Sequence, residues 1–361
     1  MENPILEEDL NLIHNKVKIS GDWKNATIII TGCAGFLGFY LINYFVSKGK
    51  KLGIKKVIAL DNFLLGKPMW LKKLVSKYPT LLFLKKFDVI NDDIKKIKDS
   101  NQARYVVHAA SIASPSFYRK FPIETIEVNV IGLKKLLEFY SNSKKLKGFL
   151  FLSSSEIYGD PGINQIPTNE NYRGNVSSIG PRACYDESKR LGETLCWIYG
   201  KKYKMPITVA RPFNNFGPGM KLNDKRLPAD LANCILNKKN ILIYSNGLPK
   251  RTFCYISDAI IGYILCLTYG SYDYFNIGSE KPEISVNKLA QIFMHYGKIN
   301  FKYKGKIIFK KNKDKEYLTD NPNRRCPVIK KAKIKLGYAP KISVEEGVDR
   351  YLKFLSYSYT K

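Results

Sequence analysis

The sequence predicts a doubly wound parallel α/β fold with a smaller mixed α/β lobe towards its C-terminal end, and three observations predict it. Short continuous apolar runs alternate with longer helical patterns from Ala26 to Pro212. A glycine-rich turn joins the first run to the first helix. Beyond Pro212 the alternation weakens into shorter segments separated by turn residues and lysines.

Taken in order, residues 1–25 read as a polar leader in which Ile5, Leu10, Leu12 and Ile13 suggest a short amphipathic helix, ended by Gly21 and Asp22. No chemistry is assigned to it. Strands are expected at 27–30, 56–60, 81–84, 105–108, 149–152 and 207–210, and helices at 35–47, 123–143 and 185–203. Apolar runs without polar alternation belong to strands buried on both faces, as in a parallel sheet covered by helices. Residues 26–215 are therefore assigned to a cofactor-binding domain. Residues 216–361 form the substrate lobe, with segments at 227–236, 241–244, 286–295 and 344–355. Strand-like runs at 253–256 and 275–277 suggest that chain near 251–262 crosses back to the first domain. A length of 361 residues suits two such units.

Sixty Lys plus Arg against 31 Asp plus Glu give a formal charge of +29. That balance raises the question of nucleic acid, but the lysines are spread from Lys16 to Lys361, densest at 302–315, with no zinc-finger or RNA-binding-sheet pattern beside them. A solvated basic surface is the simpler reading, and its field also favours an anionic small-molecule substrate. No apolar run is long enough to span a bilayer, so no membrane partner is expected. The acidic start lacks a secretory signal pattern, which points to the cytoplasm. Seven cysteines without a CxxC pair and three histidines indicate neither a metal site nor a disulfide framework.

The glycine turn, Gly32-Cys33-Ala34-Gly35-Phe36-Leu37-Gly38, follows the first strand and opens the first helix. There, glycines let the backbone approach a pyrophosphate at the helix N-terminus. A GxxGxxG triplet alone is weak, and its weight comes from Asp61 at the end of the second strand. A carboxylate in that place binds ribose hydroxyls and repels a 2′-phosphate, so NAD is expected rather than NADP. Asp88, after the third strand, lies near the adenine or simply closes a turn.

Tyr185 and Lys189 stand four residues apart, on one face of a helix. A tyrosine acts as a base near neutrality only if its phenolate is stabilised, which a lysine ammonium and the positive nicotinamide ring would both do. YxxxK arises readily by chance in a lysine-rich chain. Its companion is Ser153-Ser154-Ser155-Glu156, at the C-terminal end of a buried strand, the edge where open α/β sheets bind ligands.

At these residues the chain resembles the extended short-chain dehydrogenase/reductase superfamily of Rossmann-fold enzymes, from about Thr27 to Leu355. Ser155-Glu156-Ile157-Tyr158-Gly159-Asp160-Pro161 and Gly180-Pro181-Arg182-Ala183-Cys184-Tyr185-Asp186-Glu187-Ser188-Lys189-Arg190 are similar to UDP-glucuronate decarboxylases in particular. So are His108-Ala109-Ala110-Ser111 with Ala113-Ser114-Pro115, Arg211-Pro212-Phe213-Asn214 with Phe216-Gly217-Pro218, and Asn223-Asp224 with Arg226. The resemblance implies that Ser154, Glu156, Tyr185, Lys189 and Arg325 form the catalytic set. It implies a cofactor site of Gly32, Gly35, Phe36, Leu37, Gly38, Asp61, Asn62, Asp88, Val89 and Ala109, together with Tyr185 and Lys189. It assigns Ser111, Ser114, Asn214, Arg226, Tyr244, Arg251 and Arg325 to the nucleotide-sugar, and it implies a homodimer. Three positions depart from the pattern: Gly219 replaces an arginine, Cys326 a lysine and Val328 an acid.

The implied chemistry is oxidation of the sugar at C4 followed by loss of the C6 carboxylate, with bound NADH returning the hydride. Ser155 stands where 4,6-dehydratases carry the aspartate that protonates the leaving hydroxyl, and Glu156 where 4-epimerases carry a small or apolar residue. Decarboxylation of UDP-glucuronate to UDP-xylose leads on those grounds. The alternatives are a C4 dehydrogenase or epimerase of another nucleotide-sugar, GDP- or CDP-linked included, and, from other classes, a non-catalytic NAD-binding protein or a nucleic-acid-binding one.

Overall fold

Ile28, Ile29 and Ile30 are fully buried in the first strand, β1 (Thr27–Thr31), where a run with no polar alternation belongs, in the interior of a sheet. The computed structural model describes residues 3–310, 319 and 322–359. Beside β1 lie β2 (Lys56–Asp61), β3 (Leu82–Lys86), β4 (Ala103–His108), β5 (Gly148–Leu152), β6 (Ile207–Pro212) and β7 (Asp273–Ile277). Their spatial order is β7-β6-β5-β4-β1-β2-β3, and every neighbouring pair is parallel. The winding reverses between β1 and β4, and a crevice opens there at the carboxyl ends of the strands. The edge strand β3 carries Lys85 and Lys86 outward, which blunts it against pairing with other chains.

Helices cover both faces. Among them α2 (Phe36–Ser47) follows β1, and α3 (Ala183–Lys202) carries the Tyr-x-x-x-Lys pair. A helical run over 122–140, broken by a π-helical turn at Val128–Gly132, packs against α3. The chain leaves the sheet after β6, pairs Asn215–Phe216 with Cys254–Tyr255, and returns through α4 (Ile256–Leu267) to β7. The C-terminal part of the chain is built from helices Leu227–Leu236, Val286–Phe301 and α5 (Val344–Tyr359). Two small sheets complete it, one of which joins Ile284–Ser285, Lys250–Arg251 and Arg324–Arg325. Part of the basic run at 302–315 lies outside the described residues.

The amphipathic helix expected in the leader is α1 (Pro4–Val17), capped by the Asn3 side chain on the Ile5 N–H with proline at its first position. Its apolar face (Ile5, Leu10, Ile13, Val17) is buried against α4, α5 and α2. Within that face Asp9 is fully buried, and it accepts hydrogen bonds from Tyr40 of α2 (2.6 Å), Tyr255 (2.8 Å) and Arg350 of α5 (2.7 Å). One acid thereby ties the glycine-loop helix to the C-terminal helix. The leader is part of the core, which its polar composition did not indicate.

Candidate active site

A cavity of about 940 Å³ runs from the glycine turn past the ends of β1, β4 and β5 to strand Arg324–Arg325, and every catalytic, cofactor and substrate residue singled out above lines it. At one end Gly32 has φ +71°, and a Cβ there would sit 2.5 Å from the Ala110 nitrogen. A Cβ on Gly38 would sit 2.4 Å from the Cys33 carbonyl oxygen. The turn can take this shape only with glycine at both positions. Asp61 accepts the Ala34 and Phe63 N–H groups (2.9 and 2.8 Å) and so closes the loop over the turn. Burial raises its carboxyl pKa, and those two hydrogen bonds and nearby Lys221 oppose the rise. Asp88 spends one carboxylate oxygen on the Ile90 N–H (2.9 Å), a local turn that still leaves it on the cavity wall.

In the middle, Ser154, two residues past the end of β5, caps the short turn Ser155–Tyr158, its hydroxyl accepting the Glu156 N–H (3.2 Å). The Tyr185 ring stacks on Tyr118 with centroids 5.2 Å apart. Burial pushes the Tyr185 hydroxyl up to about 12, and its hydrogen bond with Ser154 pulls the other way. The Lys189 ammonium donates to the Leu152 carbonyl (2.7 Å) and lies 5.7 Å from the centre of the Tyr185 ring. Burial lowers its pKa to about 7.

At the far end Glu156 is gripped by Arg325, which donates to both carboxylate oxygens, and by Arg182. Burial alone would raise the Glu156 pKa, but Arg182 and Arg325 overturn that and hold it well below the usual carboxylate range. Arg251 stands in the same electrostatic neighbourhood. Burial, with Arg325 next in weight, lowers its pKa to about 9. Its guanidinium reaches the Lys250 carbonyl (2.8 Å) and Pro322. Arg226 forks onto Asp224 (2.5 and 2.8 Å) with its guanidinium 5.4 Å from the Phe36 ring centre, while Asn214 donates to the Thr252 carbonyl (2.9 Å).

Three residues that carry this geometry had been given no role in the sequence reading: Arg182, Asp186 and Tyr118. Arg182 and Asp186 lie inside the long motif around Tyr185, so the signal was present without a partner to interpret it. In the same set of motifs Arg211 is structural, forking onto Glu193 (2.9 and 2.6 Å) and donating to the Tyr158 hydroxyl (2.7 Å). Two of the departures fall away from Glu156 at the far end. Gly219 has φ +86°, and a Cβ there would meet the Phe39 ring of α2 at 2.6 Å, so this backbone has no room for a side chain. Cys326 is fully buried and turns its thiol to the Glu280 carbonyl (3.1 Å).

Residues 28–278 match the model of the NAD dependent epimerase/dehydratase family. The chain belongs to that family. Among relatives, UDP-glucuronic acid decarboxylase 1 of Xenopus tropicalis is 32% identical over 354 residues, 97% of this chain and 76% of that protein. UDP-glucuronic acid decarboxylase 3 of Arabidopsis thaliana is 34% identical over 325 residues, 90% and 87% of the two chains. Among solved structures, UDP-glucose 4-epimerase of Thermotoga maritima superposes with a TM-score of 0.78 at 24% identity, covering 92% of this chain and 99% of its own. UDP-glucuronic acid 4-epimerase of Bacillus cereus, bound to a fluorinated UDP-glucuronic acid and NAD, gives 0.73 at 24% identity, covering 92% and 100%.

As a member of the epimerase/dehydratase family, the protein is an NAD-dependent enzyme, and its residues fit that cofactor. Glycines allow close backbone approach at the start of α2, and Asp61 keeps acceptor capacity beyond its two backbone bonds. The buried Tyr185 and Lys189 line the same cavity further on.

Proposed function

We propose that this enzyme oxidises the sugar of a nucleotide-sugar at C4 and decarboxylates it, with UDP-glucuronate as substrate and UDP-xylose as product. The observation that carries the reading is the sugar end of the cavity. Three guanidinium groups, Arg182, Arg251 and Arg325, gather there around the carboxylate of Glu156, beside Tyr185 and Ser154. That surplus of positive charge suits a sugar that brings a carboxylate of its own. Relatives that this chain covers to 76% and 87% of their length are UDP-glucuronic acid decarboxylases by name.

The residues divide the work as follows. Ser154 holds the C4 oxygen, and Tyr185 takes the proton from the C4 hydroxyl and later returns it. The glycine turn and Asp61 would hold NAD, which would supply the hydride acceptor and donor for C4 and a positive charge that favours the Tyr185 phenolate. The ketone stands β to the C6 carboxylate and so takes the electrons released as carbon dioxide leaves. The enolate then needs one proton at C5, and Glu156, fixed as an anion between Arg325 and Arg182, orients the water that delivers it. Lys189 steadies the end of β5 through the Leu152 carbonyl and places its charge under the Tyr185 ring. Mass spectra after incubation with NAD and either UDP-glucuronate or UDP-glucose test the reading. It predicts loss of carbon dioxide from the first, whereas turnover of the second with UDP-glucuronate inert would replace it by a C4 dehydrogenase or epimerase.

The enzyme is further proposed to be a cytoplasmic homodimer. Ile123, Ile126 and Ile131 on the run 122–140, with Leu191, Trp197 and Ile198 on α3, are solvent-exposed on two helices packed side by side. A second copy would cover them. Equilibrium sedimentation should give twice the chain mass at micromolar concentration, and a monomer there would refute the dimer. Seven free thiols fit a reducing compartment.

A further inference from the structure

Arg182, at the N-cap of α3, serves two acids at once. One nitrogen bonds Glu156, and its Nε lies 3.4 Å from a carboxylate oxygen of Asp186, one turn further along the helix. Asp186 is 4% exposed, and its other oxygen, Oδ1, is buried with no hydrogen-bond partner among the described residues. Charged and titratable groups face it from several elements: Glu156 after β5, Arg325 in strand Arg324–Arg325 and Tyr118 in the helix Pro115–Tyr118. Tyr185 and Cys184 lie on its own helix. The helix Pro122–Glu127, packed on α3, brings Glu124 and Glu127 to the cavity wall.

Two buried carboxyls that share one guanidinium cannot both ionise freely. Glu156 is held by two arginines and Asp186 by one at longer reach, so a single proton resides on Asp186. We propose that Asp186, set behind Arg182, is a positioning residue that determines how much guanidinium charge the cavity presents to an acidic sugar. Protonated, it leaves Arg182 to Glu156 and the cavity. Ionised, it draws Arg182 back and adds a negative charge, so the site's surplus falls from two positive charges (three arginines less Glu156) to one. This deepens the decarboxylase reading and rests on it.

Burial and the charge of Glu156 raise the Asp186 pKa to about 7, so the surplus is full below that pH and shrinks above it. Calorimetric binding of UDP-glucuronate and UDP-glucose at pH 6 and pH 8.5 tests the proposal, because neither the diphosphate nor the sugar carboxylate titrates in that window. UDP-glucuronate should bind about tenfold more weakly at the higher pH, the scale of one unit charge at several ångströms in a partly screened site. UDP-glucose should change much less. Asp186→Asn, which cannot ionise, should lose the extra pH dependence for UDP-glucuronate, and Asp186→Ser should do the same. Any residual slope from Lys189 or Arg251 would persist in both variants and in UDP-glucose. An unchanged UDP-glucuronate slope in the variants, or equal slopes for the two ligands in the unmodified enzyme, overturns the role of Asp186 alone. Binding of UDP-glucose with none of UDP-glucuronate at either pH overturns the decarboxylase reading and this proposal together.

Discussion

Replacing Tyr185 by Phe is expected to lower C4 oxidation by roughly two to four orders of magnitude, the usual scale for a positioned acid–base group. The ring is buried and stacked on Tyr118, so Phe keeps the packing and removes only the hydroxyl. Cofactor binding should survive, because Asp61 and the glycine turn lie at the other end of the cavity. A hydroxyl held up near 12 in the absence of cofactor is a poor base. The group that brings it into range must therefore be supplied on binding, and oxidation should need cofactor and substrate in place together. Rapid-quench measurement of the 4-keto sugar checks this. Near-normal turnover in the variant would make Tyr185 a core tyrosine.

Glu156→Gln is expected to slow carbon dioxide release by about 10²-fold or more while slowing C4 oxidation far less. The substitution leaves Arg325 and Arg182 facing each other without the charge that both now share, and removes the anion from beside C5. If oxidation precedes the step that needs Glu156, the reduced cofactor should accumulate on the variant as a transient that the unmodified enzyme does not show. Parallel stopped-flow absorbance and carbon dioxide trapping read the two steps. Equal slowing of both would place Glu156 in general support of the site.

Much of this was legible along the chain. Strand β1, the glycine turn and Asp61 are local in sequence, and the period of four between Tyr185 and Lys189 needs only a helix. What was not legible from the residues alone depends on pairs distant in sequence. Arg325 joined Glu156 in the catalytic set on resemblance only, because the two are 169 residues apart and meet through strand Arg324–Arg325 pairing with Lys250–Arg251, a two-residue contact with no periodicity to betray it. The Asp9 cluster joins residues 341 apart, so α1 read as a polar leader although its acid is its most buried polar group. Lys189 illustrates a different limit. Helical spacing puts it on the face of Tyr185, but the direction of a long side chain is settled by which acceptor lies within reach, and the Leu152 carbonyl at the end of β5 is that acceptor. Gly219 stood out in sequence only as a missing arginine, and that the Phe39 ring of α2 packs against it shows only in the fold.

The central claim is a closed redox cycle at C4 that releases the C6 carboxylate, and UDP-glucuronate carrying deuterium at C4 tests it most directly. The enzyme with NAD should release carbon dioxide and yield UDP-xylose that keeps the deuterium, with no net NADH, because the hydride that leaves C4 is the one returned. A product that retains all six sugar carbons, or a pentose that has lost its deuterium to solvent, would contradict the account.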